Sequence, residues 1–189
     1  GTGERETQNG NIENASFNQP LGLLIDSNFN FYITVRDGLL REIKNNGIVS
    51  TYSTGFNAPS GLSFNLNGEI LLADIYNNRI ASISNDGTVK NFITGLDKPY
   101  DVKVDNEDNI YVSEVGGNKI SKYRNNGELI WSIGSQERSL TNGKFNEANF
   151  NGPVGIAFDN ENNVYVADIG NNVIRKINQS GFVTTFAGS

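Results

Sequence analysis

Apolar and polar residues alternate in short runs along the whole chain, and the runs recur with a period of about forty residues. Each period opens on a short signature: Phe17-Asn18-Gln19-Pro20, Phe56-Asn57-Ala58-Pro59, Leu96-Asp97-Lys98-Pro99 and Phe150-Asn151-Gly152-Pro153. The first run after it spans 21–25, 60–64, 100–104 and 154–158. One face of this run carries Leu23/Ile25, Leu62/Phe64, Val102/Val104 and Ile156/Phe158. The other carries Leu24, Ser63, Lys103 and Ala157, mostly small. That asymmetry suits a half-buried strand beside a crowded axis.

A turn rich in Asp and Asn follows, at 26–30, 65–68, 105–109 and 159–163. These side chains bond nearby backbone N–H groups and tolerate positive φ. The second run, 31–34, 70–73, 110–113 and 164–167, is almost continuously apolar, as expected of a central strand covered on both faces. The third, 39–44, 79–84, 119–124 and 173–178, alternates again and ends on a tight turn closed by Gly47, Gly87, Gly127 or Gly181. Asn-Gly and Asp-Gly pairs are strong hairpin signals. The fourth run, 48–52, 88–92, 128–132 and 182–186, is the most polar and reads as an outer edge strand.

Each unit is therefore a four-stranded antiparallel meander. One meander cannot bury both faces of its central strand, but neighbours stacked about an axis can. The pattern predicts an all-β chain, a β-propeller of four-stranded antiparallel blades, in preference to a linear solenoid. The blades fall at 17–55, 56–95, 96–133 and 150–189 of one propeller domain spanning 1–189.

The fourth unit reads Pro153-Val-Gly155-Ile-Ala-Phe-Asp159, then Val164-Tyr-Val-Ala-Asp168-Ile-Gly-Asn171-Asn172-Val-Ile174. This template closely resembles the NHL repeat. The second unit fits well, from Pro59-Ser-Gly61 through Asp74-Ile-Tyr-Asn77-Asn78. The third departs with Asp101 for Gly and Glu114 for Asp. The first is the most degenerate, with Val35 for the Asp. The resemblance implies a propeller used as an interaction platform and, in some relatives, as an enzyme.

Residues 1–20 align without gaps on 134–153, so 1–16 and 134–149 are matching connectors between blades. Loops of that length usually carry function or disorder. Glu4/Arg5 and Glu137/Arg138 recur in both and suggest a structural ion pair or repeat ancestry more than a site. Four units are few for the NHL family, whose propellers have about six blades within a general range of ~4 to 8. A fragment, or a self-assembling part of a larger propeller, is expected over a lone closed ring; exposed end blades then pair in a homo-oligomer. The missing initiator Met and signal peptide suggest a processed or excised piece.

Composition narrows the chemistry. The chain has 189 residues, no Cys and no His. Disulfides, thiolate metal sites, His general bases and imidazole-bound zinc are excluded. NHL-like lyases that cleave α-hydroxyglycine peptides rely on histidine-bound metal, so their chemistry is excluded too. Net charge is −6 with scattered basic residues, which disfavours nucleic acid; no apolar run is long enough for a membrane span. The compartment is open, an extracellular or periplasmic setting being favoured.

Candidate sites remain. Asp74, Glu114 and Asp168 share one template position; a ring of them would hold a hard cation such as Ca²⁺. The preferred reading is structural, each carboxylate capping its own following turn. Turn acids Asp26, Asp105, Asp108 and Asp159 are read the same way. Lys103 is placed in the central channel, as a reactive or anion-binding group or, by preference, a solvated lysine; Trp131 is a candidate partner anchor or, equally, a packing residue. The resulting expectation is a non-catalytic scaffold binding a protein or carbohydrate partner and needing no cofactor. The alternative is a metal-dependent propeller hydrolase or lactonase using axial carboxylates.

Overall fold

The computed structural model describes residues 1–188; Ser189, counted above in the fourth blade, lies outside the described residues. A short strand, β1 (Gly10–Asn11), precedes four antiparallel meanders. Blade 1 is β2 (Pro20–Ile25), β3 (Phe31–Val35), β4 (Leu39–Ile43) and β5 (Ile48–Thr54). Blade 2 is β6 (Pro59–Phe64), β7 (Ile70–Asp74), β8 (Arg79–Ile83) and β9 (Val89–Thr94). Blade 3 is β10 (Pro99–Val104), β11 (Ile110–Glu114), β12 (Lys119–Tyr123) and β13 (Leu129–Gly134). Blade 4 is β14 (Pro153–Phe158), β15 (Val164–Asp168), β16 (Val173–Ile177) and β17 (Val183–Ala187).

The second strands are the buried midribs: every residue of β7 and β11 is buried. The third and fourth strands meet across hairpins whose glycines, such as Gly127 at φ 84°, occupy the left-handed region where a Cβ is disfavoured. Each fourth strand carries a bulge, which shifts register in every outer pair. In blade 1 the outermost strand is not the expected β5. The first connector folds back and pairs as β1, Gly10 opposite Val49. The second connector repeats the move with a single bridge, Gly143 to Val183.

Consecutive blades bury three cores between them. Tyr32 and Leu40 of blade 1 pack on Leu62 and Leu72 of blade 2. Leu71 and Ile80 pack on Val102 and Val112. Tyr111 and Ile120 pack on Ile156 and Val166. Each fully buried aliphatic side chain contributes roughly 1.5–3 kcal/mol of transfer free energy. Among the described residues no such core joins blade 4 to blade 1, so the four blades form an open arc with the first strands innermost.

Candidate functional site

The first strands line a cavity of about 190 Å³ on the inner side of the arc, bounded by Leu21, Ser60, Leu62, Tyr100, Asp101 and Lys103. Its charge comes from Asp101 and Lys103, Nζ lying 3.3 Å from Oδ1. Lys103 stands at the cavity and donates to the Leu62 carbonyl at 3.0 Å, across into blade 2.

Asp101 was noted in the sequence only as a departure from glycine. Its Oδ1 accepts the Val102 N–H (2.9 Å) and its Oδ2 accepts the Ile156 N–H of blade 4 (3.0 Å). It also presses on blade 2, where a Cβ built at Gly61 would fall 2.1 Å from Oδ1. One carboxylate thus touches three blades. Burial raises its pKa above the usual carboxylate range; the Lys103 ammonium and the backbone N–H groups oppose that rise.

Asp74, Glu114 and Asp168 are each fully buried within their own blades. Asp74 accepts the Asn57 N–H at 2.7 Å, Asn77 Nδ2 at 2.8 Å and Arg79 Nε at 2.8 Å. Glu114 accepts the Asp97 N–H at 2.7 Å and the Ser121 hydroxyl at 3.1 Å, with Lys119 Nζ at 3.5 Å. Asp168 accepts the Asn151 N–H at 2.7 Å and Arg175 Nη1 at 3.1 Å. The expected cap on the following turn needs correction. The backbone N–H belongs to the loop before the first strand, seventeen residues upstream. The following turn is reached only through Asn77 and Asn171 side chains. Among the described residues no three Asp, Glu, His or Cys side chains stand close enough to share a cation.

The turn acids do bond their turns. Asp26, Asp105 and Asp159 each accept the N–H groups two and four residues on, and Asn65 does the same in blade 2. Asp108 instead accepts the Leu66 N–H of blade 2. Trp131 lies at the outer rim, half-buried between Tyr111 (centroids 5.8 Å) and Phe145 of the connector (5.3 Å), away from the axial cavity.

The expected connector ion pairs are absent among the described residues. The connectors are anchored instead by two fully buried arginines. Arg41 donates to the Ser16 and Gln8 carbonyls and to Asn9 Oδ1; Arg175 donates to the Asn149 and Thr141 carbonyls and to Asn142 Oδ1. Each guanidinium also lies over the Phe that opens its blade, Phe17 or Phe150. The sequence held the signal: blades 2 and 3, without long connectors, carry Ala81 and Ser121 at that position.

An arc of antiparallel four-stranded blades with its first strands at the axis defines a β-propeller. Its fourth blade contains a segment similar to the NHL repeat. The NHL repeat profile matches residues 150–177. NHL repeat-containing protein 2 of Gallus gallus is 44% identical over 62 residues, 32% of this chain and 8% of that protein's length. An auxiliary nutrient binding protein from Bacteroides thetaiotaomicron superposes with a TM-score of 0.77 at 15% identity, over 92% of this chain and 48% of that one. A catalytically inactive virginiamycin B lyase from Staphylococcus aureus with quinupristin superposes with a TM-score of 0.73 at 23% identity, over 89% of this chain and 55% of that one. The chain thus spans about half of these solved structures and a small part of the curated relative.

Proposed function

We propose that the chain is a non-catalytic binding scaffold whose axial cavity receives a carbohydrate or peptide group, with Lys103 as the polar anchor. The observation that carries this reading is the Asp101–Lys103 pair on an axis otherwise lined by Gly, Ser, Leu and Tyr. Lys103 has three N–H donors and uses two, on Asp101 and on the Leu62 carbonyl. The third serves an acceptor such as a sugar hydroxyl or a peptide carbonyl, while Leu21, Leu62 and Tyr100 supply apolar flank. The metal-dependent hydrolase has less support: its carboxylates are already committed to N–H groups and cations in their own blades.

Calorimetric titration with a panel of mono- and disaccharides and short peptides tests this. Lys103→Gln keeps a donor for Asp101 and removes the charge. A panel member that binds wild type is expected to lose about tenfold or more in affinity in Lys103→Gln, as for a charge-assisted hydrogen bond. Unchanged affinity overturns the anchor. Ca²⁺-dependent lactone hydrolysis by the wild type overturns the non-catalytic reading.

A further inference from the structure

The two ends of the arc expose surfaces that are buried everywhere else in it. On the first strands, Leu62, Val102 and Ile156 are 2%, 0% and 5% exposed, whereas their counterpart Leu23 is 64% exposed. On the third strands, Leu40, Ile80 and Ile120 are fully buried, whereas Ile174 is 37% exposed. Pro59, Pro99 and Pro153 are buried and Pro20 is exposed. Among the described residues no blade covers the outward face of blade 1 or of blade 4.

The two open faces match as the halves of one blade interface. At the first interface Phe64 meets Tyr32 edge-on at 5.9 Å, with Tyr52 beside it; at the third, Phe158 meets Tyr111 at 4.9 Å, with Trp131 beside it. Blade 4 carries the same waiting pair, Tyr165 and Phe186 at 5.0 Å, and blade 1 offers Ile25 at the position of Phe64 and Phe158. A polar contact is prepared as well. Asn78 Oδ1 accepts the Lys98 N–H (3.1 Å) and Asn118 Oδ1 accepts the Gly152 N–H (2.9 Å), each from the next blade. The counterpart acceptor is Asn172, exposed at the end of blade 4, and the counterpart donor is the Gln19 N–H, exposed at the start of blade 1.

Gly155 makes the same point from inside blade 4. Gly22 and Gly61 are required by the following blade: a Cβ there would fall 2.1 Å from the Ser60 carbonyl oxygen or from Asp101 Oδ1. A Cβ at Gly155 meets nothing within 4 Å. Glycine at 155 has no steric reason within one chain, but a following first strand supplies that reason.

We propose that blade 4 of one chain docks on blade 1 of a second copy, and that two copies close head to tail into one ring. The arc covers 55% of the virginiamycin B lyase chain and 48% of the nutrient binding protein chain, so two copies provide about one ring of that size. The interface is heterologous; under two-fold symmetry it occurs twice and closes, leaving no open end. Ile12 of the first connector stands where Phe145 stands in the second and lies over the outer rim of the partner's blade 4. The seam lacks one bond its siblings have. Thr34, Ser60 and Ser113 hydroxyls donate to first-strand carbonyls of the next blade, whereas blade 4 has Ala167 and Val154 at those positions. The joint between copies is therefore weaker than those within a chain.

Light scattering and sedimentation of the 189-residue chain read this directly. The expected mass is twice the 20.6 kDa chain mass. Leu23→Asp and Ile174→Asp, both at exposed positions, are each expected to give folded monomers. Mixing the two restores a pair, because one wild-type seam remains between the intact tail of one and the intact head of the other. Gly155→Ala, whose Cβ meets nothing within 4 Å in one chain, and Gly155→Val are also expected to yield folded monomers. A wild type that stays monomeric at micromolar concentration overturns the proposal, as does a dimer that survives Leu23→Asp and Ile174→Asp. A ladder of larger species overturns ring closure. The readout is mass and owes nothing to ligand binding at Lys103.

Discussion

At the scale of single residues, the two buried arginines do the same mechanical task in different electrostatic surroundings. Arg175 is paired with Asp168 at 3.1 Å, both fully buried. Arg41 stands in a blade where Val35 replaces that carboxylate, and only neutral oxygens receive its N–H groups. Burial accordingly lowers its pKa, with Asp37 opposing. Removing one partner of a buried ion pair strands the other, at a cost of about 3–5 kcal/mol, whereas replacing an unpaired buried cation relieves desolvation. Arg175→Met is therefore expected to destabilise by about 3–5 kcal/mol, since it leaves Asp168 without its cation. Arg41→Met is expected to cost about 1–2 kcal/mol at most, because exposed Gln8 and Asn9 return to water and few buried acceptors are abandoned. Urea unfolding of both variants checks the order; equal losses mean that anchoring the connector, not charge pairing, sets the cost.

At the scale of elements, the first turn of each blade shows how one geometry is met by different chemistry. Asp159 accepts from the Glu161 and Asn163 N–H groups, Asn163 Nδ2 and the Tyr165 hydroxyl. These bonds, led by the one from the Asn163 side chain, hold its pKa down at about 2. Because the folded value lies below the ordinary 3.8, the associated stability is present above pH 3.8 and is lost as the pH falls toward 2. Asn65 builds the same turn in blade 2 without a charge. Asp159→Asn, which keeps the Oδ1 acceptor of the turn but not the charge, is thus expected to lower the neutral-pH melting temperature modestly and to flatten the acid limb of the stability profile. A large loss at neutral pH would mean that the contacts at Oδ2, from Asn163, Tyr165 and Lys176, and not the turn bonds at Oδ1, are what Asp159 chiefly supplies. These turns, like the strands, were legible in the sequence: each of the four runs per unit appears as a strand with ends displaced by no more than two residues. Periodicity and Asx chemistry are local, so sequence reports them well. The upstream N–H groups held by Asp74, Glu114 and Asp168 lie seventeen residues away and became visible only with the meander folded. Arg41 and Arg175 bond connectors still further off in sequence, and Asp101 bridges to Ile156 across a blade boundary. Contacts of that span leave little local pattern, although the exchange of Arg for Ala81 and Ser121 marks which blades carry a connector.

At the scale of the whole molecule, an arc of repeats is held by contacts between nearest neighbours, and its stability approximates a sum of blade and interface terms. Blades 2 and 3 are covered on both faces, whereas blades 1 and 4 are each covered on one. Local opening therefore costs least at the ends of a single chain. In the monomeric Gly155→Val chain, amide hydrogens of Ile70–Asp74 and Ile110–Glu114 are expected to exchange slowest, and those of Phe31–Val35 and Val164–Asp168 faster. In the proposed two-chain ring every blade has two neighbours, so protection of the two end midribs should rise toward that of the central ones. The rise should depend on protein concentration, because coverage of the ends comes from a second molecule by mass action. Uniform protection across all four midribs in the monomer would mean that the blades unfold as one cooperative unit, and the nearest-neighbour picture of this arc would fail.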